Sequence, residues 1–230
     1  TRWYEDPASQ PLSTPTRKIE IYSTGLAEHF PDDQERPVVP HWIEETAEHQ
    51  ERRSCERALR YPFLLVSNHP RWRVHSEHDD VTWMREIRTC KVEGPDGYRY
   101  EPVWLNPVDA GKLGLQDGDV VRVYNERGAV LGGVIVSERI MPGAVYQDHG
   151  ARVDPVVVGE RGLDRGGANN LICPTATTSK NAVGEATNGY LVNVEKVDVF
   201  ELARRYPEAF GRDYDPADGL RVSAWMAEGE

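Results

Sequence analysis

Residues 115–137 read LQDGDVVRVYNERGAVLGGVIVS, and this stretch decides the fold class. QDGD at 116–119 is a turn that ends on a strand, DVVRVYN, and ERG at 126–128 is a second tight turn that leads into a return strand, AVLGGVIVS. The two runs are rich in Val with little polar interruption, which predicts strands at Asp119–Asn125 and Ala129–Ser137 buried on at least one face. Working outward, YPFLLVS at Tyr61–Ser67, VWLN at Val103–Asn106, AVYQ at Ala144–Gln147 and YLVNVE at Tyr190–Glu195 are apolar runs of strand length bounded by turn residues. Helical signals are short. PVDAGKLG at 107–114 has Pro107 at its first position and Asn106 as cap, and DVFELARRY at 198–206 is the other. Many short strands separated by tight turns predict a mainly β barrel or sandwich.

The N-terminal part is different in kind. Residues 1–42 carry Pro7, Pro11, Pro15, Pro31, Pro37 and Pro40, which break regular elements and predict an extended arm. Within it RKIEIY, Arg17–Tyr22, alternates like a short strand. Ile43–Leu59 is full of helix formers with little apolar surface and predicts an exposed helix or connector. The expected organisation is an arm and connector over 1–60, a globular domain over 61–206 and a tail over 207–230. The arm's apolar residues Trp3, Tyr4, Ile19, Ile21 and Phe30 have no local core, so it is expected to pack on other protein.

The chain has 230 residues, 39% hydrophobic and 28% charged, with a formal net charge of -11. That balance argues against a nucleic-acid surface and against attraction to anionic lipid. No run of about 18 apolar residues is present to span a bilayer as a helix. The first residues have no secretory-signal character, and the sequence starts at Thr1, so it is expected to be the tail of a longer polypeptide. Cys55, Cys90 and Cys173 are scattered and odd in number, which implies idle thiols rather than a disulfide framework. A cytoplasmic location is expected, or a periplasmic one if an upstream segment carries a signal.

Several residues are candidates for chemistry. Asn106 and Asp109 stand at the cap and third position of the 107–114 helix, where Asn-x-x-Asp satisfies free N–H groups. Capping and ligand contact both remain open for them. His69, His75 and His78 are close in sequence, yet H-x5-H-x2-H without cysteine matches no common zinc spacing, so no metal site is expected. GGANN at 166–170 places two Asn side chains, with acceptors and donors, after glycines that let a backbone approach a ligand. No Ser-His-Asp set, GxSxG elbow or nucleotide loop is present.

Four segments in a fixed order carry a resemblance. They are SNHPRWRVHS at 67–76, WLNPVDAGKLGLQDGDVVRVYNERGAV at 104–130, MPGAVYQDHG at 141–150, and DRGGANNLICP at 164–174 followed by SKNA at 179–182. Together they resemble the C-terminal molybdopterin dinucleotide-binding domain of the dimethyl sulfoxide reductase family of molybdenum and tungsten enzymes. Near the end, TTSKNAVGEATNGYLVNVEK leans toward the pyrogallol–phloroglucinol transhydroxylase branch. HPRWRVHS is similar to the nitrate reductase branch as well.

The resemblance implies a six-stranded double-psi β-barrel with short helices. It implies two molybdopterin guanine dinucleotides (bis-MGD) with molybdenum or tungsten, clamped against catalytic domains that lie on another chain or upstream. An iron–sulfur subunit is a further expected partner, and the domain is not expected to be active alone. Its cofactor-binding residues are expected to be His69, Arg73, His75 and Ser76 from the first motif, Asn106 and Asp109 at the helix cap, Gln147, Asp148 and His149, Asn169 or Asn170, and Asn188. Gln147, Asp148, His149, Asn188, Lys180 and Asn181 are of second rank among these candidates. The metal's own protein ligand is not expected in this chain. A competing reading is a stand-alone double-psi barrel acting as an interaction module or small hydrolase.

Overall fold

The computed structural model describes residues 2–42, 51–160, 162–177, 179–181, 183–185 and 188–212. Its strands are β1 Phe63–Val66, β2 Val92–Glu93, β3 Arg99–Tyr100, β4 Pro102–Leu105, β5 Val120–Asn125, β6 Gly128–Val136, β7 Ala144–Gln147, β8 Leu163–Asp164 and β9 Tyr190–Lys196. All six strands expected from the sequence are present, with bounds that differ by at most about two residues. They run in the order β4-β7-β1-β9-β5-β6, and β6 pairs back to β4, so the barrel closes. Closure removes the exposed sheet edges that would otherwise recruit other strands. The short strands β2 and β3 form a separate ribbon, and β8 adds to β6.

The β5–β6 hairpin pairs Tyr124 with Ala129 and Asn125 with Gly128, so its turn is the two residues Glu126 and Arg127 rather than the three expected over 126–128. Asn125 reinforces its end by donating to the carbonyls of Ile172, at 2.8 Å, and Leu191, at 3.1 Å. In β6 the pair Gly132–Gly133 answers a steric need. A Cβ at Gly132 would collide with the Val103 side chain of β4, so only glycine lets the two strands cross this closely. Leu65, Val103, Leu105, Val121, Val123, Val130, Val145, Ile172 and Val192 fill the barrel interior. Each such side chain, fully buried, contributes about 1.5–3 kcal/mol.

Both expected helices form. Pro107–Leu113 is capped by Asn106, whose side chain accepts from Val108 N, and Val199–Arg205 by Asp198, which accepts from Phe200 N and Glu201 N. The expected 207–230 tail begins with the short helix Pro207–Phe210, and residues 213–230 lie outside those described.

Contacts divide the chain into two compact units. One comprises Gln50–Thr175 with Ala186–Glu230 and holds the barrel; the other comprises Thr1–His49 with Ala176–Glu185. In the second, the buried carboxylate of Asp33 accepts from Asn181 Nδ2 at 2.9 Å, Arg36 Nε at 2.9 Å and Glu35 N at 3.1 Å. The Asn181 hydrogen bond, against the cost of burial, holds Asp33 down at about 2. Trp3, Tyr4, Ile19, Ile21 and Phe30 are exposed in this unit.

Two local expectations are corrected. Arg17–Tyr22 is not a strand: Ile19 and Ile21 are each 72% exposed, and an alternating pattern without a partner ladder leaves its backbone to local turns. Of the helix expected over 43–59, residues 43–50 lie outside those described, and the remainder holds only one 3-10 turn, Glu56–Leu59. Here Glu51 competes with helix formation. Its carboxylate accepts from Leu191 N at 2.7 Å and pairs with Arg57 and Arg127, which fastens the connector to the barrel.

Candidate functional site

Strand direction assembles the site. β1 and β7 are parallel neighbours, with Leu65 beside Val145, so the segments that leave their C-terminal ends, SNHPRWRVHS and DHGAR, emerge on the same side. β9 runs antiparallel to β1 and starts at that end, which brings in Asn188, just upstream of it. Asn188 Oδ1 accepts from Ser67 N at 2.8 Å. Asn169 joins from the Asn169–Leu171 turn, where its Nδ2 donates to Ser67 Oγ at 2.8 Å and to the Asp148 carbonyl at 3.2 Å. His149 N donates to the Asn68 carbonyl at 2.9 Å and completes the seam.

Three histidines meet on the open side of this seam. His75 Nδ1 lies 2.9 Å from His149 Nε2, the His69 and His149 rings stack with centroids 4.6 Å apart, and His69 meets His75 edge-on at 4.9 Å. The sequence pointed to His78 as the third neighbour, but the fold supplies His149 from the other loop. The turn that presents His75 is closed by reciprocal hydrogen bonds between Val74 and Glu77, and His75 sits in it at φ 52. That left-handed conformation is uncommon for a residue with a Cβ. Gly150, at φ 89, is required beside it, because a Cβ there would collide with the His75 carbonyl. His149 is held below the ordinary imidazole value by burial, then by His69, His75 and Arg73.

Beneath the histidines lies a buried ion network. Arg73 donates to the His149 carbonyl at 3.0 Å, to Asp79 at 2.8 Å and to Glu101 at 2.5 and 3.1 Å, and Lys91 bridges Glu101 at 2.7 Å and Asp79 at 3.0 Å. Burial lowers the affinity of the Arg73 guanidinium for its proton, but Glu101 and Asp79 more than offset this and raise it above the usual range. Asp79 is driven the other way: burial opposes its charge, and Lys91, Arg73 and Arg85 together hold it below the usual carboxylate range. Arg73, expected to face a ligand, has its donors directed into the protein. The geometry gives it the task of positioning the two loops.

Gln147 and Asp148 are the deepest members, 0% and 2% exposed. Gln147 Nε2 donates to the Gly167 carbonyl at 3.2 Å, and the Tyr146 hydroxyl donates to Asp148 Oδ1. Gln147 Oε1 and Asp148 Oδ2 are buried acceptors without a protein partner. Burial pushes the Asp148 carboxyl up to about 6, against the Tyr146 hydrogen bond and with help from Glu101.

Other expected residues are placed elsewhere. β4 runs antiparallel to β7, with Leu105 beside Val145, so Asn106 and Asp109 lie at the opposite end of the barrel. There Asn106 caps its helix and donates to the Ile140 carbonyl at 2.6 Å. Asp109 does not close the cap. Its Oδ2 accepts from Gly143 N at 2.5 Å. Ser76 is exposed in the His75 turn. Asn170 is exposed and lines a cavity of about 640 Å³ with Asn125, Arg127, Leu171 and Cys173. Lys180 and Asn181 belong to the N-terminal unit, where Lys180 N donates to Glu35 and Asn181 to Asp33. Cys90 is buried, and burial raises its thiol to about 11, in keeping with an idle side chain.

Residues 63–188, from the first strand of the barrel to Asn188, match the family model described as "Molydopterin dinucleotide binding domain". The chain belongs to that family. Its relatives include a dimethyl sulfoxide/trimethylamine N-oxide reductase of Cereibacter sphaeroides, 38% identical over 193 residues, which cover 84% of this chain and 22% of the reductase. The pyrogallol hydroxytransferase large subunit of Pelobacter acidigallici is 36% identical over 197 residues, 81% of this chain and 22% of that protein. This molybdopterin dinucleotide-binding domain thus spans about a fifth of the length of the curated relatives it matches, and they place it in the dimethyl sulfoxide reductase family. Acetylene hydratase from Pelobacter acetylenicus shares the fold, with a TM-score of 0.57, 17% identity, and coverage of 83% of this chain and 25% of that one. The similarities to the reductase and to the hydroxytransferase are nearly equal, so they do not single out the transhydroxylase branch. Among the described residues no helix is long and apolar enough to cross a membrane.

Sequence reasoning missed Glu101, Asp79 and Lys91, which hold the site's loops in place. Charged residues flanking short apolar runs are common, and nothing local says that these will be buried together.

Proposed function

We propose that the loops leaving β1 and β7 form one wall of a molybdopterin guanine dinucleotide site, which this domain closes from one side. The observation that supports it most is the pair of buried acceptors, Gln147 Oε1 and Asp148 Oδ2, left without a protein partner beside three open imidazoles. A pterin or guanine edge carries amino and ring N–H donors, and a pyrophosphate accepts from imidazole N–H groups, so the donors and acceptors present fit the group. In this reading Asn169, Asn188 and Ser67 lock the loops together, Arg73 sets their spacing through the His149 carbonyl, and His69, His75 and His149 face the ligand. Asp148 accepts a hydrogen bond when ionised and offers one when protonated.

The further proposal is that two such dinucleotides, with molybdenum or tungsten, are shared with catalytic domains outside this sequence. The bound metal and pterins supply the redox or group-transfer chemistry. The substrate class is that of the relatives, an N- or S-oxide reduced or a hydroxyl group transferred between phenols. The exposed apolar residues of the N-terminal unit pack on those domains, and an iron–sulfur subunit is a further proposed partner.

Elemental and pterin analysis of the intact enzyme that contains this domain tests the reading. Two pterins per molybdenum or tungsten are expected, with no turnover by the 230-residue chain alone. An intact enzyme without pterin would contradict it.

A further inference from the structure

The geometry points to a second occupant for the three histidines: we infer that, in the chain free of pterin, His69, His75 and His149 bind one divalent transition-metal ion of the zinc, nickel or copper class. One ring nitrogen from each lies within 4.8 Å of the other two. Three imidazoles around a tetrahedral ion at about 2.0–2.1 Å have nitrogens about 3.3 Å apart, so small ring rotations suffice. The 2.9 Å approach of His75 Nδ1 to His149 Nε2 puts two ring nitrogens face to face across a space that a proton bridges and that an ion would bridge instead.

The surrounding structure fixes the backbone that carries two of these rings, one in each loop. His149 is tied through its backbone to Asn68 on one side and to the Arg73 guanidinium on the other, and His75 is held in its closed turn against Gly150. Ligands fixed in advance lose little freedom on binding. The donor set is all nitrogen, which selects ions that favour imidazole over magnesium or calcium. His69 and His75 are exposed, which leaves a path for the ion and a fourth position for water. Three protein ligands with one open position is the arrangement of a reactive rather than a purely structural zinc site.

This inference stands on the ring geometry and not on the cofactor reading. The two occupants would compete for the same nitrogens. Cobalt(II) is the probe, added to the metal-free 230-residue chain near pH 7.5 and followed by its visible absorption and by equilibrium dialysis. One ion per chain with the intense bands of four-coordinate cobalt is expected. Affinity should fall at least tenfold in His75→Ala and in His149→Ala and stay unchanged in His78→Ala. Should His149→Ala fail to fold, exposed His75→Gln carries the same test. No bound cobalt at millimolar concentration, or binding unaltered by His75→Ala and His75→Gln, would overturn the proposal. Pterin seated on other loops would leave the cobalt site open in the intact enzyme. The failure of the cofactor reading is therefore visible separately from the result on the bare chain, which decides this one.

Discussion

The two ends of the barrel use the same residue types to opposite effect. At the end where β4 stops, Asn106 and Asp109 spend their polar atoms on their own helix and on the Ile140 and Gly143 backbone. At the end where β1 and β7 stop, Gln147 and Asp148 are more deeply buried, yet each keeps an acceptor without a protein partner. An unpaired buried acceptor costs about 1–3 kcal/mol, so the fold tolerates at one end what it avoids at the other. Residue type alone does not tell the two pairs apart; the acceptors left open on Gln147 and Asp148 do.

Breaking the network beneath the histidines should have the largest effect. Arg73→Ala leaves Glu101 and Asp79 buried with Lys91 as the cation that still bridges them, and removal of one member of a buried ion pair costs about 3–5 kcal/mol. Thermal or denaturant unfolding should show a loss of that size. A change under about 1 kcal/mol would mean that the network is solvated and does not hold the loops. Leu65→Ala, inside the barrel, gives a reference of about 2–5 kcal/mol for the loss of an apolar side chain.

Acid sharpens the same comparison. Asp79 is held below its ordinary value of 3.8, so its contribution is fully present above that value and is lost as pH falls toward the folded one. Asp164 moves oppositely. Burial raises it to about 6 from 3.8, so its contribution is present below the lower value and is lost as pH rises through the higher one. Unfolding curves carried below about pH 4 should therefore show a fall in stability that Asp79→Asn makes shallower. An identical acid limb in wild type and variant would remove Asp79 from the account.

The cap end should give the smallest effect. Asn106→Ala removes one helix cap, at a cost of about 1 kcal/mol. A much larger loss would mean that the hydrogen bond to the Ile140 carbonyl does more than tether a turn.

The barrel was legible because its evidence is local. Val-rich runs bounded by turns located all six strands, and Asn106-Pro107 located a helix start. Ile19 and Ile21 show where that logic stops, since the same alternation without a neighbouring strand gives no ladder. The site was legible in part. Motif order led to His69, His75, Gln147, Asp148, His149, Asn169 and Asn188, which the fold gathers at one end. Asn106 and Asp109 lie at the other end of the barrel, which a motif does not disclose because strand polarity is not visible in it. The pairing of His149 with His75, 74 residues apart, and that of Arg73 with Glu101, 28 apart, depend on the parallel register of β1 and β7 and on the start of β4. No spacing within either segment encodes them.

The most direct test of the central claim compares the two ends in the intact enzyme. Molybdenum or tungsten and pterin would be measured per protein in His75→Ala, His149→Ala and Asn106→Ala beside wild type. Reduced occupancy is expected in both histidine variants, by roughly 5- to 150-fold in affinity for about 1–3 kcal/mol lost, with Asn106→Ala at the wild-type level. Full occupancy in both histidine variants together with loss in Asn106→Ala would contradict the claim and move the cofactor wall to the other end of the barrel.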